Sequence, residues 1–365
     1  MEKDKKRLIG LKSLIAIVRM HLFILVFATL SLIGTVDAQT PQTWPSEISF
    51  NYEVGSKNND AVTIRKNAST PIAAPEYIHG SKNESCAYIM GQSNHKIRVK
   101  FASNNSNMNY LVKATVISGT GISNVCEILV APCNLNTTVF TIDLSGPVPG
   151  SVGKQTFTWK WEATALPLSS PYCPITCTPV NTTHTYYTLL AAPQAPMPEP
   201  WTEVLDYSCV WASGQSSAYS IIRFITEGAY YNIGKQYWGG GSHAVLPNFD
   251  LSGLFADNWA DCRDMSAVVQ IFSNALGVQG IQIRRIDGQF AYKPILPVGK
   301  SSWVAGIWNF HQVGYYSNVF DACLKLNQTS PRIPINEPIN ESYKNDLFSS
   351  GYWVPIGAAT YTHVY

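Results

Sequence analysis

Charge is scarce in this sequence. Asp, Glu, Lys and Arg make up 14% of 365 residues, and the formal net charge is +2. That is too little charge for a disordered or coiled-coil chain. The small positive excess is itself local. Residues 1–38 hold six Lys/Arg and three Asp/Glu, which leaves a body of net −1. Such a body lacks the basic footprint of non-specific nucleic-acid binding, so no nucleic-acid partner is expected. Metal motifs are missing as well: there is no HExxH, no CxxC pair and no calcium loop. No metal and no cofactor are therefore expected. The Gly-rich stretch Tyr237-Trp-Gly-Gly-Gly-Ser-His243 is not followed by Gly-Lys-Ser/Thr. This excludes a phosphate loop and leaves a flexible turn. No carboxylate pair has a spacing that suggests a glycosidase. After residue 38 no apolar run approaches the roughly 20 residues that span a bilayer. No stable membrane span is expected in the mature chain.

What is present is apolar and aromatic: 45% hydrophobic residues and 12% Phe, Trp and Tyr. Those fractions support real cores, and the length suggests about two domains. Lys3, Lys5, Lys6, Arg7, Lys12 and Arg19 precede an apolar run from Leu22 to Ile33, and Val36-Asp-Ala38 offers a small-x-small cleavage site. This is the layout of a secretory signal peptide over residues 1–38. The expected location is periplasmic or extracellular. All eight cysteines lie beyond the leader, where export permits disulfides. Cys126 with Cys133, and Cys173 with Cys177, are spaced to close small rings, and Cys209 with Cys323 is a third candidate pair. A zinc site is the rival use of closely spaced cysteines.

Residues 39–191 read as an antiparallel β-sandwich, Ig-like in pattern. Ile97–Phe101, Tyr110–Ile117, Thr138–Leu144 and Thr156–Ala163 are alternating or β-branched runs separated by turn clusters. Residues 192–200 carry four prolines, which predicts a stiff linker and a domain boundary. From Trp201 to Tyr365 the pattern is α+β. Trp201–Ala212, Ser216–Gly228 and Cys262–Leu276 read as helices. Gly280–Ile286, Ile307–Val313 and Asn318–Leu324 read as strands. Asn83 and Asn136 begin glycosylation sequons, which places them on surface loops.

The third helix carries the chemistry. Met265, Val268, Val269, Phe272 and Leu276 form one apolar face. Asp261 is the expected N-cap, with Asp264 completing an Asp variant of the capping box. Cys262 then opens the helix, where unpaired N–H groups and the positive end of the macrodipole favour a thiolate. The same N–H groups could stabilise an oxyanion. His311 and Asp321 stand ten residues apart. With Tyr315-Tyr-Ser317 as the turn of a symmetric hairpin they are directly paired, and the carboxylate fixes the imidazole tautomer. A packing role for Cys262, and exposed strand positions for the other two, are the plain alternatives.

Cys262 at a helix start, Asp264 two residues on and Ala275-Leu-Gly-Val278 at the helix end resemble the core motif of transglutaminase-like proteins, a papain-type cysteine superfamily. The order Cys, His, Asp matches that family's triad. The resemblance covers roughly Trp201 to Leu326. It implies Cys262 as nucleophile, His311 as general base and acid, and Asp321 as orienting carboxylate. An upstream aromatic often helps form the oxyanion hole in the family, which makes Trp238 and Trp259 candidates. Asp261 departs from the small or amide residue common before the nucleophile. An acid there opposes ionisation of the thiol unless it is turned away as the cap.

The resemblance implies a secreted enzyme that transfers acyl groups from protein or peptide amides to water or to an amine. The competing reading is an inactive scaffold in a secreted binding or surface-assembly protein. In that reading the sandwich would bind a glycan or protein ligand.

Overall fold

The computed structural model describes residues 40–51, 61–119, 125–168, 174–326, 335–337, 342–352 and 354–365. The expected leader, Cys173 and the side chain of Cys126 lie outside them. The N-terminal part is built on β1 (Thr43–Ser49), β2 (Cys86–Ile89), β3 (Lys96–Ser103), β4 (Met108–Ser118), β5 (Val125–Val130), β6 (Phe140–Asp143), β7 (Gly153–Pro167) and β8 (Val180–Leu189). One sheet runs β1-β3-β6, extended beyond β1 by the short strands Tyr77–Ile78 and Lys82–Asn83. The other runs β2-β8-β7-β4-β5.

Alternation drives both sheets. Ile97, Val99 and Phe101 of β3 turn inward, and so do Phe157, Trp159 and Trp161 of β7. They meet in a single core. The sandwich is antiparallel with one exception. β8 pairs parallel with β2, Tyr186 opposite Cys86 through Leu189 opposite Ile89. These strands are far apart in sequence, so a long connection can bring them side by side in the same direction. Asn83 and Asn136 are both exposed, as their sequons imply.

Next come α1 (Thr202–Trp211), α2 (Ala218–Asn232), α3 (Leu251–Ala256) and α4 (Cys262–Ala275). A second sheet system follows: β9 (Gln282–Pro297), β10 (Val304–Tyr316), β11 (Asn318–Phe320), β12 (Leu324–Leu326), β13 (Ile335–Glu337), α5 (Ser342–Leu347), β14 (Phe348–Gly351) and β15 (Val354–Ala359). β10 lies between β9 and β11, and β13 pairs with β11. The far edge of β9 takes β12, β14 and β15 in turn. The architecture is α+β with several sheets.

Helix α4 is buried on all sides rather than on one apolar face. Leu205, Ile221 and Ile225 of α1 and α2 cover its apolar side. Its polar side is covered too, and there its side chains find partners. Gln312 of β10 donates to Ser266 Oγ and to Tyr361 Oη, each at 2.8 Å. Gln270 accepts from Tyr361 N at 2.9 Å and donates to Ile281 O at 3.0 Å. The helix ends in a Schellman motif: Gly277 N bonds Asn274 O and Val278 N bonds Ser273 O. Gly277 has φ +88°, and a Cβ there would lie 2.4 Å from the Ala191 carbonyl oxygen, so only glycine fits.

The proline-rich segment is fastened rather than free. Gln194 N bonds Asn274 O, Asn274 Nδ2 bonds Ala195 O, and Met197 is buried. Tyr187 and Leu189 of the sandwich share a core with α1, α2 and α4. Residues 42–365 accordingly form one compact unit.

Among the described residues no expected disulfide is seen. Cys133, Cys177, Cys209 and Cys323 are all free thiols. Cys209 and Cys177 are each buried in a different core, and Cys133 is exposed on the surface. Among the described residues no group of His, Cys, Asp and Glu could hold a metal ion, and no helix is long and apolar enough to cross a membrane.

Two histidines are buried in the sandwich. His184 bonds Thr182 Oγ1 at 2.8 Å and is ringed by Phe50, Tyr77, Phe157 and Trp159. Burial lowers its pKa to about 3, and burial lowers that of His95 as well. Both take up a proton on unfolding below pH 6.5, so the folded state loses stability as pH falls from there. Urea unfolding between pH 7 and 4 should show a fall of up to about 1.4 kcal/mol per pH unit for each such proton. The slope should be shallower in His184→Gln.

Candidate active site

The first turn of α4 is held by two carboxylates. Asp261 Oδ1 accepts from Arg263 N at 2.8 Å and Asp264 N at 3.2 Å. Its Oδ2 accepts from Arg263 Nε at 2.8 Å and faces the other end of the same guanidinium at 2.6 Å. The acid before Cys262 is thus engaged as a cap and paired with Arg263. Asp264 returns a bond from Asp261 N at 2.9 Å, completing the capping box. Met265 N bonds Asp261 O. The N–H left without an acceptor among the described residues is that of Cys262 itself.

Asp264 also fastens the Gly-rich loop. Its Oδ1 accepts from Ser242 Oγ at 2.7 Å and from His243 N and Ala244 N at 2.8 Å each. Burial raises the Asp264 pKa, helped by the neighbouring Asp261 carboxylate, while these hydrogen bonds pull it back. The loop is therefore ordered, contrary to a flexible turn. It packs the two candidate tryptophans. A Cβ on Gly240 would meet the Trp238 ring at 2.6 Å, and one on Gly241 would meet Trp259 at 3.1 Å.

Trp238 stands edge-on to Trp259, with ring centres 4.7 Å apart, and stays 51% exposed. Trp238 N bonds Ala260 O, two residues before Cys262. His243 is largely shielded from solvent, stacked on Trp259 at 4.2 Å and 3.4 Å from Asp257 Oδ2. Its place is against Trp259, not in a solvated loop.

His311 and Asp321 are brought together. His311 Nε2 lies 2.8 Å from Asp321 Oδ2, and both side chains are buried. Tyr343 of α5 donates to the same Oδ2 at 2.7 Å, and Cys323 N donates to Oδ1 at 2.8 Å. The hairpin register differs from the expected one. Gly314 pairs with Phe320, Tyr315 with Val319 and Tyr316 with Asn318. The turn is centred on Ser317, which has φ 62°. Continuing that ladder would put Val313, not His311, opposite Asp321. The contact survives because β11 stops at Phe320 and the chain bends at Ala322 and Cys323, just after Asp321. The carboxylate can then reach the diagonal neighbour.

Burial pulls the His311 pKa down, but the Asp321 charge and hydrogen bond, assisted by Cys262, more than offset it and raise it to about 10. With Nε2 on Asp321, the ring nitrogen left for Cys262 is Nδ1, which is buried and makes no hydrogen bond. Trp308 stacks on the imidazole at 4.8 Å and 17° and sets its plane. Tyr237 is the other aromatic close by, its pKa raised by burial and by Cys323 and Cys262.

Sequence reasoning missed Tyr343 and Trp308. Tyr343 lies in a polar tail with no periodic signal. Trp308 and His311 are an odd number apart on one strand, a spacing that predicts opposite faces. The remaining buried cysteines, Cys86, Cys177, Cys209 and Cys323, all have raised pKa values, with burial the leading cause. They are held as neutral thiols.

No family model matches the chain, and no curated protein matches it.

Asp321→Asn removes the charge that raises His311 and leaves the burial that lowers it. Imidazole NMR should show the His311 pKa falling from about 10 towards the ordinary histidine range. In the native protein the raised value adds stability that is full below pH 6.5 and disappears as pH rises through about 10. Asp264→Asn presents an amide to donors on both sides. Urea unfolding should show a loss of about 1–3 kcal/mol for the buried donor left unpaired.

Proposed function

We propose that the protein is an exported, thiol-dependent acyl-transfer enzyme acting on amide bonds of proteins or peptides. Its C-terminal half is transglutaminase-like, of papain type, and its sandwich is Ig-like. One observation carries this reading. A buried His311–Asp321 pair at 2.8 Å leaves one ring nitrogen without a hydrogen bond, and Cys262, at the start of a helix, is among the groups that raise the His311 pKa.

The chemistry follows from the arrangement. Cys262 Sγ, as thiolate, attacks the amide carbonyl carbon, and the carbonyl electron pair moves to oxygen. The free N–H of Cys262 faces that oxygen as a donor. The oxyanion then collapses, the C–N bond breaks, and the imidazolium of His311 protonates the leaving amine. A thioester remains on Cys262. Water or a second amine attacks it, His311 takes the proton, and the thiolate is released. Asp321 stays charged throughout and stabilises the imidazolium. Hydrolysis is the default outcome, because water reaches any open cleft. The exposed indole of Trp238 and the stacked Trp259 form one wall of the cleft, and a glycan or protein ligand is assigned to the sandwich.

Iodoacetamide labelling of the folded protein as a function of pH tests the reading. Cys262 should label rapidly well below pH 8, and His311→Ala should lose or shift that reactivity. A Cys262 that labels only at the pH of a free thiol would sink the enzyme and favour a binding scaffold of the same fold.

A further inference from the structure

The sequons at Asn83 and Asn136 take no part in the chemistry of Cys262 and His311, and they are not alone. Asn67-Ala-Ser69, Asn104-Asn-Ser106 and Asn181-Thr-Thr183 carry the same pattern, an Asn with a hydroxyl two places on. All five asparagines are exposed, and all five belong to the sandwich. Two further sequons begin at Asn327 and Asn340, outside the described residues. From residue 182 to 326 the pattern is missing, although Asn232, Asn248, Asn258 and Asn309 are exposed there.

Three of the five lie towards the end of the sandwich remote from the helices. The start of β7 is fastened to the α1–α2 turn, with Gly214 N on Val152 O and Val152 N on Gln215 O. The other end of β7, Pro167, pairs with Met108 at the start of β4. Asn104 is the first residue of the β3–β4 connection. The length of β7, roughly 45 Å at the strand rise, therefore separates it from the helical half. Asn136 N bonds Phe101 O near the end of β3, which places it at the same end. Asn181 is the second residue of β8. That strand joins the helical core only at its other end, through Tyr187 and Leu189.

These side chains can take a sugar without losing the bonds they make. An N-glycosidic link replaces one of the two hydrogens on Nδ2 and leaves the other hydrogen and the carbonyl oxygen. Asn104 Oδ1 accepts from Gln42 N at 2.7 Å. Asn67 Oδ1 accepts from Ser69 N at 3.1 Å and from Thr70 N at 2.9 Å. Asn83 Nδ2 donates one hydrogen to Thr183 O at 3.0 Å. Each of these bonds survives the link.

We propose that the remote end of the sandwich is capped by N-linked oligosaccharides on Asn104, Asn136 and Asn181, with two more on Asn67 and Asn83. This rests on the export reading and on a secretory host that makes the donor, an oligosaccharide activated as a lipid diphosphate. Asn Nδ2 attacks the anomeric carbon of that sugar. The bond from this carbon to the phosphate oxygen breaks, its electron pair leaves with the diphosphate, and Nδ2 gives up a proton. Such chains are bulky and solubilising, so they close the capped end to macromolecules. The sequon-free stretch that holds Cys262 and His311 stays bare.

The test is expression of the full chain, with its own leader, in insect cells. Sugars are released from the secreted protein by peptide N-glycosidase in heavy-oxygen water, which labels each Asn that carried one, and the label is located by peptide mass. Label is expected at all five positions. Ser106→Ala removes an exposed hydroxyl and keeps Asn104, so it should lose the label at Asn104 and nowhere else. Release should also speed the reaction of a polymer-bearing maleimide with Cys133, which is exposed three residues before Asn136. Equal rates before and after release would overturn the shielding. A secreted chain without label at any one of Asn104, Asn136 and Asn181 would overturn the cap and leave export standing. A chain retained in the cytosol without label would overturn both.

Discussion

Everything at the site answers to one requirement: a carboxylate taken out of water must be given donors. Asp321 is buried, and three groups from separate segments meet it: the imidazole of β10, the phenol of α5 and its own neighbour's amide. The ending of β11 at Phe320, the bend that follows and the position of α5 are what supply these donors. Once the carboxylate is satisfied, the orientation and charge of His311 follow from it, because its negative charge outweighs the burial of the ring.

The same logic governs the start of α4. Asp264 binds two loop amides, a serine hydroxyl and the N-cap amide. It ties the helix that Cys262 opens to the loop that carries Trp238. Asp261 is absorbed by its own helix and by Arg263. Three buried acids therefore sit close to a thiol, each with its charge engaged elsewhere. The Cys262 amide is the one first-turn donor they leave open among the described residues. Glycines at 240 and 241 let the two indoles close over the loop, so a low-complexity stretch becomes a rigid surface.

Some of this was legible in the residues. Periodicity located α1, α2 and α4 to within a few residues, and Asp261 and Asp264 marked the capping box. The pairing of His311 with Asp321 was also anticipated, though for a partly mistaken reason: the turn is centred one residue later than a symmetric Tyr-Tyr-Ser turn implies. Alternation of Ile97, Val99 and Phe101 was enough to draw the sandwich, but not the parallel pairing of β2 with β8. Cysteine spacings suggested disulfides, yet Cys133, Cys177, Cys209 and Cys323 are free thiols, even though Cys209 and Cys323 share one core.

The sequence by itself determined the local grammar: which segments are helix or strand, which residue opens α4, and which ring and carboxylate are candidates to meet. Those features depend on neighbours a few residues away. Tertiary structure alone decided the rest. It buried the polar face of α4 under Gln312 and Tyr361, brought Tyr343 to Asp321 and stacked Trp308 on His311. Each of these joins residues distant in the chain or overrides the parity of a strand, and such contacts are set by packing and by the demand of buried polar groups for partners, not by local pattern.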